Sequence, residues 1–102
     1  MAFKLQPPDT FPVPVEITNP GGALETLNVD FRWFSRDQYV EYCKAGKDLS
    51  DPEFFAGLIA GWDADEACDV AGMGKLFGYR PKAPRALFDA FRRELLEVEE
   101  KN

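Results

Sequence analysis

Leu27-Asn28-Val29-Asp30-Phe31-Arg32-Trp33-Phe34-Ser35-Arg36-Asp37-Gln38 holds the point at which this chain changes period. Up to Trp33 apolar residues alternate with polar ones, the rhythm of a strand with one buried face. From Ser35 the spacing is helical. Ser35 with Gln38 three positions on is a capping box, in which each side chain satisfies the other residue's backbone N–H. Gly46 is a natural stop. The stretch therefore predicts a strand handing over directly to a helix at 35–45, with Tyr39, Val40 and Cys43 on its apolar side.

Toward the N-terminus, Val13, Val15 and Ile17 alternate in the same way, and Asn19-Pro20-Gly21-Gly22 separates the two runs, which predicts a β-hairpin over 11–33. Pro12 and Pro14 share parity, so their missing N–H groups face one side, and that side is expected to be the free edge. Phe3 and Leu5 are candidates for a further strand. Toward the C-terminus, Ser50 or Asp51, then Pro52 and Glu53, open a second helix expected over 52–62, with Phe54, Phe55, Leu58, Ile59 and Trp62 as its stripe. Residues 63–83, punctuated by Gly72, Gly74, Gly78, Pro81 and Pro84, are expected to hold at most one helical turn. From Pro84 a final helix over 84–99 buries Leu87, Phe88, Phe91, Leu95 and Val98, with Arg85/Asp89 and Arg93/Glu97 pairs outside. The expected fold is α+β: a small single domain over residues 1–102, its N-terminal antiparallel β-hairpin packed on about three helices.

The 102 residues include no histidine, which removes the commonest general base and the commonest metal ligand together. Cys43 and Cys68 form no Cys-x-x-Cys unit, and the acids around Cys68 disfavour its thiolate. Asp63, Asp65 and Asp69 suggest a calcium loop, but Cys68 stands where the turn needs glycine and Gly74 where a bidentate glutamate belongs. Gly72-x-Gly74-Lys75 has the wrong spacing for a phosphate loop and no Ser or Thr after the lysine. No catalytic residue, metal site or cofactor is expected. A net charge of −6 opposes binding to a phosphate backbone, so nucleic acid is not an expected partner. The N-terminal residues lack a secretory apolar core and no run is long enough to span a bilayer, so no membrane association is expected and a cytoplasmic chain is.

Contact with another protein is the remaining class. With nine Phe, three Tyr and two Trp in so short a chain, some aromatics must face outward. Phe31, Trp33 and Trp62 have core parity or spacing, and Trp62 is expected between the second and last helices. Phe34, Phe77 and Tyr79 fall outside the periodic pattern and are the candidate partner-binding aromatics. Ala56, Gly57 and Ala60 form a small-residue face that would admit a second backbone.

The ordered landmarks resemble the phage tail assembly chaperone family of tailed phages and prophages. They are Met1-Ala2-Phe3-Lys4-Leu5, Thr10-Phe11-Pro12-Val13-Pro14-Val15, the Pro20-Gly21-Gly22 turn, Phe31-Arg32-Trp33-Phe34-Ser35-Arg36, Gly61-Trp62-Asp63 and Pro84-Arg85-Ala86-Leu87-Phe88-Asp89-Ala90-Phe91. The segment 72–83 departs from the family, which often carries a fuller helix there. The resemblance implies a non-enzymatic protein of the host bacterial cytoplasm that binds the tape measure protein, keeps it soluble, helps recruit major tail tube protein and is missing from the mature virion; self-association into a homo-oligomer is a separate expectation, from the small face of Ala56, Gly57 and Ala60. A structural virion component of the tail or head–tail junction is the alternative. For the acidic loop, calorimetry is expected to show no micromolar calcium binding; micromolar affinity would overturn the loop assignment.

Overall fold

The structure, a computed structural model, describes residue 5 and residues 7–96. Strands β1 (Thr10–Thr18) and β2 (Leu24–Arg32) form the expected antiparallel hairpin, with Val13 opposite Val29 and Val15 opposite Leu27. The alternation is realised directly: Val13, Val15, Ile17, Leu27, Val29 and Phe31 are buried, and the residues between them on both strands are exposed. Gly21 and Gly22 take φ of +100° and +97° in the turn, a region that side chains with a Cβ avoid. A third strand does join the sheet, but not from the N-terminus. Phe3 lies outside the described residues, and Leu5 is 89% exposed and in no strand.

That strand comes from the segment expected to end the second helix. Helix α1 (Arg36–Ala45) carries the capping box of Ser35 and Gln38 and ends at Gly46, as expected. None of its residues is fully buried, and Val40 is exposed although its spacing placed it on the apolar side. After one 3-10 turn, helix α2 (Asp51–Leu58) starts from Ser50, whose box partner is Glu53. It stops at Leu58. Ile59–Trp62 is strand β3, antiparallel to β2, in a sheet ordered β1-β2-β3. The apolar stripe does not detect the change, because Phe55 and Leu58 bury themselves from the helix and Ile59 buries itself from the strand. What ends the helix is Arg32, whose Nη1 donates to the carbonyls of Ala56 and Gly57 at 3.1 Å each and of Ile59 at 3.4 Å. It supplies both the missing donors and the positive charge that a helix C-terminus favours.

Residues 63–83 are also more regular than expected. Helix α3 (Val70–Tyr79) runs for ten residues, N-capped by Asp69, whose carboxylate accepts from the Gly72 N–H at 2.8 Å. Its glycines do not break it. Gly72 sits where a Cβ would strike the Ala67 carbonyl, so this turn needs glycine for close approach, while Met73 of the same helix is fully buried. Trp62 is half-buried against Gly72, and its Nε1 donates to the Glu66 carbonyl at 2.8 Å. It therefore secures the loop before α3 and does not fill a space between α2 and the last helix. Trp33 departs from expectation too: it is 41% exposed just past the end of β2.

Helix α4 (Ala83–Leu96) is the expected final helix, with the Arg85–Asp89 pair at 3.3 Å; Glu97 and Val98 lie outside the described residues. Leu87 and Phe91 are fully buried beneath it. The Phe91 ring meets Phe31 at 5.2 Å, Tyr39 at 5.8 Å, Phe34 at 6.0 Å and Phe11 at 6.1 Å between centroids. One side chain thus joins the last helix to both long strands and to α1. Replacing it with alanine should cost about 3–5 kcal/mol in denaturant unfolding, by lost transfer and cavity formation. Arg32→Ala should cost about 1–2 kcal/mol by freeing the α2 carbonyls, and wild-type stability in that variant would contradict the capping role.

Candidate protein-contact surfaces

Strand pairing decides which backbone groups remain open. The Trp33 N–H donates to the Asp9 carbonyl and the Asn19 N–H to the Ala23 carbonyl, so odd-numbered residues of the hairpin bond across it. Even-numbered residues turn their backbone groups outward. On β1 these include Pro12 and Pro14, so the outer edge is the proline side, as expected, and it lacks two donors. On β2 the outward side faces β3, which pairs with Val29, Asp30 and Phe31 only. At Asn28 the pairing ends in a substitution. The Asp63 N–H still donates to the Asn28 carbonyl at 3.1 Å, but the Asn28 N–H is taken by the Asp63 carboxylate at 2.9 Å, in place of a strand carbonyl. The second carboxylate oxygen accepts from Asn28 Nδ2 at 2.8 Å. Beyond it, Thr26 and Leu24 present backbone groups with no strand beside them among the described residues.

A groove of about 400 Å³ lies along this open stretch. Glu25, Thr26 and Leu27 form one wall, Ala64, Asp65 and Glu66 another, and Leu76, Tyr79 and Arg80 of the α3 end a third, with Ile17 contributing apolar surface. Two ion pairs hold it in shape, Arg80–Glu25 at 3.1 Å and Lys75–Glu66 at 3.2 Å. Both are solvent-exposed, so they position the walls more than they stabilise the fold. Tyr79, 75% exposed, stands at the rim.

The other aromatics chosen from sequence are elsewhere. Phe34 is half-buried, 5.3 Å from Tyr42, and with Tyr42, Ala45, Asp37, Gln38 and Glu41 it lines a shallow open depression along α1. Phe77 is half-buried against Phe55 at 5.4 Å and lines neither surface. Ala56, Gly57 and Ala60 are not one helical face: α2 ends before Ala60, and Tyr42 covers Gly57, its hydroxyl donating to the Phe54 carbonyl at 2.6 Å. Leu27, Leu76 and Arg80 are groove residues that the sequence reading does not mark as contact candidates. Asp69 as an N-cap before Val70, Met73, Leu76 and Phe77 was the signal that α3 existed and so that a groove wall did.

The acidic loop is committed to structure. Asp63 ends the strand pairing, Glu66 receives Lys75, and Asp69 caps α3. Burial, more than the neighbouring Asp69 carboxylate, pushes the Cys68 thiol above its ordinary pKa, with Arg32 opposing, which leaves little thiolate for nucleophilic chemistry. Among the described residues no three His, Cys, Asp or Glu side chains are grouped to hold a metal, and no helix is long and apolar enough to cross a membrane.

This is a small α+β protein with a groove beside β2 and an open depression along α1. A family model described as phage tail assembly chaperone matches residues 1–102, and the chain belongs to that family. Its role is therefore that of a chaperone in phage tail assembly, within a family that is generally non-enzymatic. No curated protein and no solved structure matches the chain.

The bond from the Asn28 side chain, then that from its backbone, holds the Asp63 carboxyl below the ordinary aspartate pKa. A depressed folded-state pKa means the clamp contributes while Asp63 is ionised and fades as pH falls through that lowered value. Carboxyl NMR titration should find Asp63 below the ordinary aspartate range and shifted upward in Asn28→Ala. An unmoved titration would contradict the clamp.

Proposed function

We propose that this protein binds an apolar helical segment of its phage's tape measure protein, keeps that long chain soluble until tail tube subunits are recruited, and then leaves. The whole-chain match to the tail assembly chaperones carries the reading. Surface chemistry supports it: the net charge of −6 opposes aggregation, while Trp33, Val40 and Tyr79 are exposed apolar contacts on a compact body. The shallow depression at Phe34, Tyr42 and Ala45 has the open form that suits the side of a helix, and Asp37 and Glu41 beside it favour a partner helix with basic flanks. Tyr79 marks the second surface, which shares no lining residue with the first.

Co-expression tests the reading. The tape measure protein should be soluble with this chain and aggregate without it, and Phe34→Asp should weaken the rescue. Tape measure solubility that is indifferent to this chain, or the chain at stoichiometric amounts in purified virions, would overturn the chaperone reading in favour of a structural virion component.

A further inference from the structure

We propose that the groove beside β2 receives an extended segment of a partner protein, with alternating apolar and basic residues, which adds to the sheet as a strand at Leu24–Thr26. The inference goes beyond the helix contact at Phe34 and does not depend on it.

Three observations converge on this stretch. First, the neighbouring edge positions are defended. The outer edge of β1 lacks donors at Pro12 and Pro14, and the β3 side of β2 is occupied by β3 and then by the Asp63 carboxylate at Asn28. Beyond Asn28, Thr26 and Leu24 keep outward backbone groups with no strand beside them among the described residues. Unpaired strand edges of this kind are templates for an added strand. Second, the empty space lies where a strand would run. The groove separates the β2 edge from Ala64–Glu66 and the end of α3, and Leu27, Leu76 and Ile17 provide an apolar surface for alternate side chains of an incoming segment.

Third, its charge selects the occupant. Glu25, Asp65 and Glu66 line the groove against Lys75 and Arg80. Both cations are already held, Lys75 by Glu66 and Arg80 by Glu25, so Asp65 remains uncompensated among the described residues. In a chain of net charge −6, the segment that fits carries lysine or arginine between its apolar residues. Strand addition would use main-chain bonds for affinity and the apolar wall for register. That combination tolerates varied sequences, which suits a protein that must hold a partner and release it.

The peptide Lys-Val-Lys-Val-Lys-Val is the probe, with Glu-Val-Glu-Val-Glu-Val as its charge control, added to the isotope-labelled full chain. Amide shifts should move at Leu24–Leu27, Ala64–Glu66 and Leu76–Arg80, with the Thr26 N–H protected from exchange by the basic peptide only. Thr26→Pro removes the outward donor while leaving the hairpin's own bonds in place, and should weaken binding about tenfold or more. Glu16→Pro, on the facing position of β1, should not. Asp65→Lys alters charge without touching the ladder and should also weaken binding. Peptide shifts at Phe34 or along β1, equal binding of the acidic peptide, or undiminished binding to folded Thr26→Pro would each overturn the proposal.

Discussion

The guanidinium of Arg32 ends α2, and the rest of the sheet depends on where that helix ends. Its bonds to the carbonyls of Ala56, Gly57 and Ile59 turn the chain out of the helix and deliver Ile59–Trp62 to the edge of β2. A two-stranded ribbon is marginal in water; the third strand makes the hairpin part of a sheet that helices can cover. Because β3 is only four residues long, it protects β2 as far as Val29 and no further. The Asp63 carboxylate then closes one more position. The same short strand therefore both completes the sheet and leaves the gap that becomes the groove.

Aromatic packing fixes the helices over this sheet. Phe91 joins Phe11 and Phe31 of the strands to Phe34 and Tyr39 at the start of α1, so the last helix and the first are seated by one ring. Helix α1 has no fully buried residue and relies on these half-buried contacts, with Tyr42 reaching over Gly57 to Phe54. Burial and the neighbouring Cys43 push the Tyr39 phenol up to about 12, so it remains neutral within the cluster. An element held by few contacts is the part of a fold that opens most readily, and the Phe34 depression lies along it.

Local signals were legible where they agreed with tertiary demand. The hairpin showed in the parity of Val13, Val15, Ile17, Leu27, Val29 and Phe31; α1 and the start of α2 showed in their capping boxes; α4 showed in Leu87 and Phe91. The end of α2 was not legible, because Phe55, Leu58 and Ile59 have helical spacing whether or not the helix continues, and the cap that stops it is an arginine some two dozen residues upstream. Helix α3 was hidden by three glycines, although Gly72 is required there by the Ala67 carbonyl and Asp69 announced the start. Tyr79 was singled out and does stand at the groove. The groove itself was invisible, since it needs both β3 to stop and α3 to form.

The most direct test of this account is the conformation of residues 59–62 in solution. Val29 and Trp62 face each other between two hydrogen-bonded positions, so their α-protons should be close enough for a strong cross-strand nuclear Overhauser effect, with extended Cα shifts through Ile59–Trp62. Helical shifts continuing through Trp62, without that contact, would show that α2 does not end at Leu58, and the third strand and the groove beside it would go with it.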